Sequence, residues 1–395
     1  MISEGMKALV AGSSVIRAMF EEGKKMAAQY GAKNVYDFSL GNPSTPPPEA
    51  VKNALKSVLD EENPNLVHGY MNNSGYEDVR DAIAKSLNKR FCTNFATQNI
   101  VMTVGAAGGL NVILKTLINP GDEVMTFAPF FGEYKNYVSN FGASLVAVPP
   151  VRADFQPDPE AFEKLITKKT KAVIVNTPNN PTGVVYTEES IKAIAAVLNK
   201  KEAEYGHSIF IISDEPYREL VYGDIEVPYL TKYYKNTVVG YSYSKSLSLP
   251  GERIGYLVIP SEVDDFDDMI SAAGVATRIL GFVNAPSLIQ RAVAKCLDET
   301  TDVGVYDTNR KLLYNALTEY GFECVKPDGA FYLWVKAMEE DDKAFASKAK
   351  ELHLLLVPGS SFGGPGYVRI AYCVSKDMIE RSLPAFKKLA EMYSK

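Results

Sequence analysis

Cysteine, histidine and tryptophan are scarce in this chain, with four, three and one respectively in 395 residues. Cys92, Cys296, Cys324 and Cys373 stand far apart and form no C-x-x-C pair. Neither a disulfide-stapled scaffold nor a zinc-bound framework fits that arithmetic, and free thiols are in keeping with a reducing cytosol. Long apolar runs are absent, and the opening Met1-Ile2-Ser3-Glu4-Gly5-Met6-Lys7 has no apolar signal region, so no membrane span is expected. Long basic runs are absent too: 42 basic residues face 48 acidic ones, a formal charge of -6. Nucleic acid is therefore not an expected partner, and the expected location is the cytoplasm.

What is present is the composition of a globular protein, 46% hydrophobic, 23% charged and 11% aromatic, at a length that predicts two or three domains. Apolar positions near helical spacing after Ser13 and Ser14 predict an amphipathic arm. Pro46-Pro47-Pro48 is a stiff crossing segment before a helix near Glu49. Between about residues 100 and 260, short apolar runs alternate with longer amphipathic ones, the pattern of βαβ units and a mainly parallel sheet. Seven strands are predicted: 100–104, 123–127, 144–148, 172–175, 209–212, 237–239 and 255–259. Helices are predicted at 108–117, 133–141 and 188–201, with an acid-rich helix from Ser261 that carries Asp264, Asp265, Asp267 and Asp268 near its positive end. The remainder predicts strands at 330–335, 354–357 and 368–374 and an amphipathic helix over 378–393.

The chemistry concentrates in Tyr241-Ser242-Tyr243-Ser244-Lys245-Ser246, with Arg253 eight residues after the lysine. It follows a strand, and open α/β sheets bind ligands at the carboxyl ends of their strands. A lysine held off water near other cations loses its proton more easily, and the neutral amine attacks aldehydes. Ser242, Ser244 and Arg253 are groups that hold phosphate, so lysine and phosphate site together suggest pyridoxal phosphate. Asn176 to Gly183 and Asp214-Glu215-Pro216-Tyr217 also follow strands. Each alone reads first as a turn or a helix cap, and it is their order along the chain that speaks for one site. Gly105, Ala106 and Ala107 open a helix whose backbone N–H groups suit an anion; the dinucleotide fingerprint G-x-G-x-x-G is absent.

With Leu40-Gly41-Asn42-Pro43, Ala128-Pro129-Phe130-Phe131, Pro327-Asp328-Gly329-Ala330-Phe331-Tyr332, Val357-Pro358-Gly359 and Tyr367-Val368-Arg369-Ile370, the chain resembles the fold-type I pyridoxal-phosphate enzymes of the class I/II aminotransferase family, aspartate aminotransferase-like, over almost its whole length. The resemblance implies an α/β fold: a large domain, 46–284, around a mainly parallel seven-stranded sheet, and a smaller α+β domain made of 1–45, the amino-terminal arm included, and 285–395. It implies pyridoxal 5′-phosphate bound as a Schiff base to Lys245, which also moves the proton. Asp214 would pair with the ring nitrogen, Tyr217 and Asn180 with the phenolic oxygen, and Phe131 would stack on the ring. Gly105, Ala106, Ala107, Ser242, Ser244 and Arg253 would bind the phosphate. Arg369, with Asn180 and Gly41, would take the substrate α-carboxylate.

Tyr70 matches a tyrosine that the family donates across a homodimer interface, though it also reads as an ordinary packed aromatic. Arg278 lies near the position of a partner-subunit arginine that reads side-chain carboxylates, one residue out of register, and also reads as a solvated helix arginine; Arg17 on the arm is a second candidate. Two departures are Ala107, where many relatives carry a hydroxyl, and Phe131, where some carry tryptophan or tyrosine. The implied activity is transfer of an amino group between an L-amino acid, aspartate- or glutamate-like or other, and a 2-oxo acid. The alternative is β-elimination by a lyase of the same fold.

Overall fold

The computed structural model describes residues 2–11 and 15–394. The seven predicted strands form one sheet. From edge to edge it runs Ile100–Thr103, Gly255–Val258, Thr237–Ser242, Phe210–Asp214, Thr170–Asn176, Glu123–Phe127 and Ser144–Val148. Five neighbouring strands are parallel, and Gly255–Val258 runs antiparallel to both of its neighbours. The central strands are buried on both faces, which is why they read as continuous apolar runs. Alternation still sorts their side chains. Ala172 and Ile174 join the helices Gly105–Leu117 and Phe266–Ile279 on one face, while Val173 and Val175 join Glu188–Tyr205 on the other.

Local chemistry sets the helix ends. Thr187 caps Glu188–Tyr205 by accepting from the Ser190 N–H, and Gly206 closes it at φ 73°. Three predictions shift. The helix expected from 133 is shorter, Tyr134–Ser139. The acid-rich helix starts at Phe266 rather than Ser261, because Asp264 is engaged outside it by Lys235, Ser208 and Asn236; Asp267 and Asp268 do occupy its first turn. The strand expected over 354–357 splits in two, since Leu354–Leu355 pairs in parallel with Tyr36–Asp37 whereas Val357–Pro358 pairs with Tyr367–Ala371. The arm contains helix Val15–Tyr30; its candidate caps Ser13 and Ser14 lie outside the described residues.

A second sheet orders Val357–Pro358, Tyr367–Ala371, Tyr332–Lys336 and Cys324–Val325, all antiparallel. Its core gathers Phe331, Ile370 and Tyr372 with Leu313 and Leu317 of helix Val303–Glu319 and Phe386 of helix Lys376–Glu391, and Phe38 from the amino-terminal segment packs there too. Helix Ser287–Ala294, which the expected boundary at 284/285 places with this smaller sheet, packs instead beside Glu49–Glu61 and Glu77–Phe91, burying Ile289, Ala292 and Val293 in the core behind the strand Thr237–Ser242.

The carboxyl end of the lysine strand demands close backbone approach from its neighbour Gly255–Val258. A Cβ on Gly255 would collide with the Tyr241 carbonyl and stand 3.2 Å from Gly105. Gly255→Ala should therefore destabilise the protein by about 1–3 kcal/mol, the usual cost of overpacking; urea unfolding of the variant checks this, and an unchanged midpoint would contradict the close approach.

Candidate active site

A cavity of about 360 Å³ opens at the carboxyl edge of the large sheet. Parallel register builds it, because Asn176 sits level with Asp214 and Asp214 level with Gly240. Three strand ends thereby deliver Asn176, Asp214 and the turn Tyr243–Ser246 to one place. Of the residues expected there from sequence, Gly41, Ala106, Ala107, Phe131, Asn180, Asp214, Tyr217, Ser242, Ser244, Lys245, Arg253 and Arg369 all line it. Gly105 stands immediately behind, at φ 72°, where a Cβ would be 2.7 Å from Arg253 Nη2. Tyr70 lies apart and is 91% exposed. Arg278 is exposed on helix Phe266–Ile279, and the side chain of Arg17 lies outside the described residues.

Lys245 Nζ donates to the Gly41 carbonyl at 2.7 Å and stands 5.2 Å from the Phe331 ring centroid. Burial, with Arg369 and Arg253 nearby, brings its pKa down to about 8 against an opposing contribution from Cys373. A substantial neutral fraction then exists near physiological pH. Asp214 is buried, and desolvation lifts its carboxyl to about 7 even though a hydrogen bond from Tyr134 works downward. The Tyr134 hydroxyl donates to Oδ2 at 2.5 Å, while Oδ1 is buried without a partner among the described residues. A buried carboxylate oxygen left unpaired is costly, so this atom marks where a cationic N–H donor would fit.

At the other side of the cavity Arg369 is 2% exposed. Its guanidinium donates to Asn180 Oδ1 at 3.0 Å and to the Ser39 carbonyl at 2.6 Å, lies over Tyr332 and Phe362, and leaves Nε unpartnered. No carboxylate of the described residues pairs with it, an arrangement that suits an incoming carboxylate. Tyr217 and Tyr332 share a hydroxyl contact at 2.8 Å. A Cβ on Gly41 would drive into the Tyr332 hydroxyl, so that glycine keeps the chain close to the lysine. The Ser242 and Ser244 hydroxyls, 2.8 Å apart, lie on the cavity wall with the first turn of helix Gly105–Leu117 and with Arg253, donors and a cation of the kind that suit an anion.

Residues 33–386 match the family model described as aminotransferase class I and II. The chain belongs to that family. A probable N-acetyl-LL-diaminopimelate aminotransferase from Bacillus subtilis is 31% identical over 362 residues, which cover 89% of this chain and 88% of that protein. The crystal structure of an amino transferase from Eubacterium rectale has a TM-score of 0.98 at 49% identity and covers the whole of both chains. Aspartate aminotransferase from Thermus thermophilus with maleate has a TM-score of 0.87 at 26% identity, covering 98% of this chain and 99% of that one. The fold expected from the family resemblance, α/β around a mainly parallel seven-stranded sheet, is the fold observed. The protein is an aminotransferase, and nothing favours the β-elimination alternative.

Sequence reasoning left several cavity residues of this aminotransferase without a role: Leu40, Leu110, Tyr137, Asn176, Pro250 and Tyr332. Tyr134 was missed altogether. Its contact with Asp214 spans 80 residues of chain, and only its placement one helical turn after Phe131 hinted that it faces the same way. Asn176 donates to the Asp214 carbonyl at 2.8 Å and accepts from the Asn180 N–H at 2.8 Å, tying two strand ends together.

The raised Asp214 carboxyl has a consequence for stability in the cofactor-free protein. Between the ordinary value of 3.8 and about 7 the folded state keeps a proton that the unfolded chain has already lost, so this group's contribution falls as pH rises through that window and levels off above it. Asp214→Asn removes the effect. Unfolding by urea should show the variant more stable than the parent at about pH 8, with the gap closing below about pH 4; a gap constant across that range would contradict the desolvated carboxyl.

Proposed function

We propose that the protein moves an amino group between an L-amino acid and a 2-oxo acid with pyridoxal 5′-phosphate held in this cavity. The observation that carries the reading is the unpartnered Asp214 Oδ1, a buried acceptor waiting for a cationic ring nitrogen. When bound, the cofactor supplies an aldehyde that condenses with amines and a protonated ring that accepts electron density as the substrate Cα loses its proton.

The chain's own residues do the rest. Lys245 would hold the cofactor through its aldehyde carbon and, as a free neutral amine, would move the proton between the substrate Cα and that aldehyde-derived carbon on the far side of the nitrogen. Asp214, oriented by Tyr134, keeps the ring nitrogen protonated. Tyr217 and Asn180 donate to the phenolic oxygen, and Phe131 covers one ring face. The N–H groups of Gly105, Ala106 and Ala107, with Ser242, Ser244 and Arg253, hold the phosphate. Arg369 fixes the α-carboxylate beside Asn180 and Gly41, so that the Cα–H bond is presented to Lys245.

A homodimer with a shared site belongs to the same proposal, supported by Tyr70, a large aromatic left bare on the single chain. A cytoplasmic setting accords with four free cysteines; among the described residues no helix is long and apolar enough to cross a membrane.

The first test is the visible spectrum of cofactor-loaded protein. A single amino acid should bleach the cofactor band and a 2-oxo acid should restore it, with Lys245→Ala abolishing turnover; retained steady-state turnover in that variant would overturn the lysine assignment. Arg278 and Arg17 are the cations proposed to read a substrate side-chain carboxylate. Replacing the true reader by alanine should raise KM for aspartate and glutamate at least tenfold, about 1.4 kcal/mol, while alanine as substrate is unaffected. Equal losses on all three substrates would remove both from that role.

A further inference from the structure

Behind the lysine turn lies a second cavity, of about 270 Å³, that shares no wall residue with the first. Three tyrosine rings line it. Tyr241 and Tyr256 stack at 4.8 Å, and Tyr243 stands across them at 5.2 and 5.9 Å. All three are at least nine-tenths buried, at 4, 4 and 5% exposure. The Tyr241 hydroxyl donates to Glu219 Oε2 at 2.8 Å and lies 2.8 Å from Ser246 Oγ. The hydroxyls of Tyr243 and Tyr256 have no hydrogen-bond partner among the described residues, although both rings border the cavity. Neither hydroxyl is among the buried atoms left without a partner, so both open onto space rather than onto protein.

The charge around this space has a definite sign. Arg90, its only cationic wall residue, is already paired with Glu219 at 2.7 Å. Asp298 and Glu299 stand exposed at the mouth and form no ion pair among the described residues. Three carboxylates thus face one guanidinium that is itself occupied. Aromatic side chains beside surplus negative charge attract cations, and the wall sets Ile83, Leu87 and Leu297 beside the carboxylates, so that a charged head and an apolar body both find a match.

We propose that this cavity binds a small organic cation, an alkyl- or arylammonium whose charge rests near Asp298 and Glu299 and whose apolar body lies on the tyrosine rings. Ser246 forms part of the wall, so the occupant touches the residue that follows Lys245, from the side away from the aminotransferase cavity. The proposal does not depend on which cofactor or substrate the other cavity takes.

Primary amines would also condense with an aldehyde there, so the probe is benzyltrimethylammonium, which has no N–H. Titrated calorimetrically into cofactor-loaded protein, it should bind at one site per chain. Asp298→Asn with Glu299→Gln, two changes at exposed positions, should weaken it about fivefold. Ser86→Trp, which fills the cavity from helix Glu77–Phe91, should abolish it. No saturable binding up to about 10 mM, or unchanged affinity in either variant, overturns the proposal. Because the double carboxamide variant alters only side chains at the mouth, it keeps the test decisive even if the tryptophan variant folds poorly.

Discussion

Asn176 pairs with Asp214, and Asp214 with Gly240, in parallel register. Parallel pairing makes every strand of the set end on the same edge, and the polar residue that terminates each apolar run is delivered there whatever the length of the helix between. The edge that carries the candidate active site is therefore a by-product of how the core is buried. The strands need helices on both faces, the helices need right-handed crossovers, and their carboxyl ends have nowhere else to converge.

That edge is also where the fold leaves polar groups unsatisfied. Asp214 Oδ1 and Arg369 Nε are buried without partners on opposite sides of one cavity, and Lys245 stands among them with its proton loosened by burial. Each arrangement costs the cofactor-free protein stability. The buried cores on both faces of the large sheet and under the smaller sheet offset these costs, and complementary charge in the cavity would reduce them. Tyr134 limits the penalty at Asp214 by satisfying one oxygen while leaving the other free.

The strands were legible in the sequence because burial on both faces demands continuous apolar runs, and those runs end in Asn176, Asp214 and the lysine segment. Where the chain's partners change, legibility failed. Leu354 to Val357 is one apolar run, but its first half pairs with Tyr36–Asp37 and its second with Tyr367–Ala371, a choice made by segments more than a hundred residues apart in the first case. Asp264 looked like an acid within the first turns of a helix and is instead claimed outside it by Lys235, Ser208 and Asn236. The same distance hid Tyr134, which carries no turn or strand-end signal of its own, and left Tyr332 of the predicted strand 330–335 without a role.

By itself, the sequence determined the sheet, the strand-end residues and the order in which they arrive, since these depend on local periodicity and on short motifs. Only the tertiary structure decided which groups are desolvated, which oxygen of Asp214 is taken, that Arg369 has no carboxylate partner among the described residues and that a second cavity stands behind the lysine. Those properties depend on distances between segments far apart in the chain, and a carboxylate's pKa or a guanidinium's pairing follows from its neighbours in space rather than its neighbours in sequence.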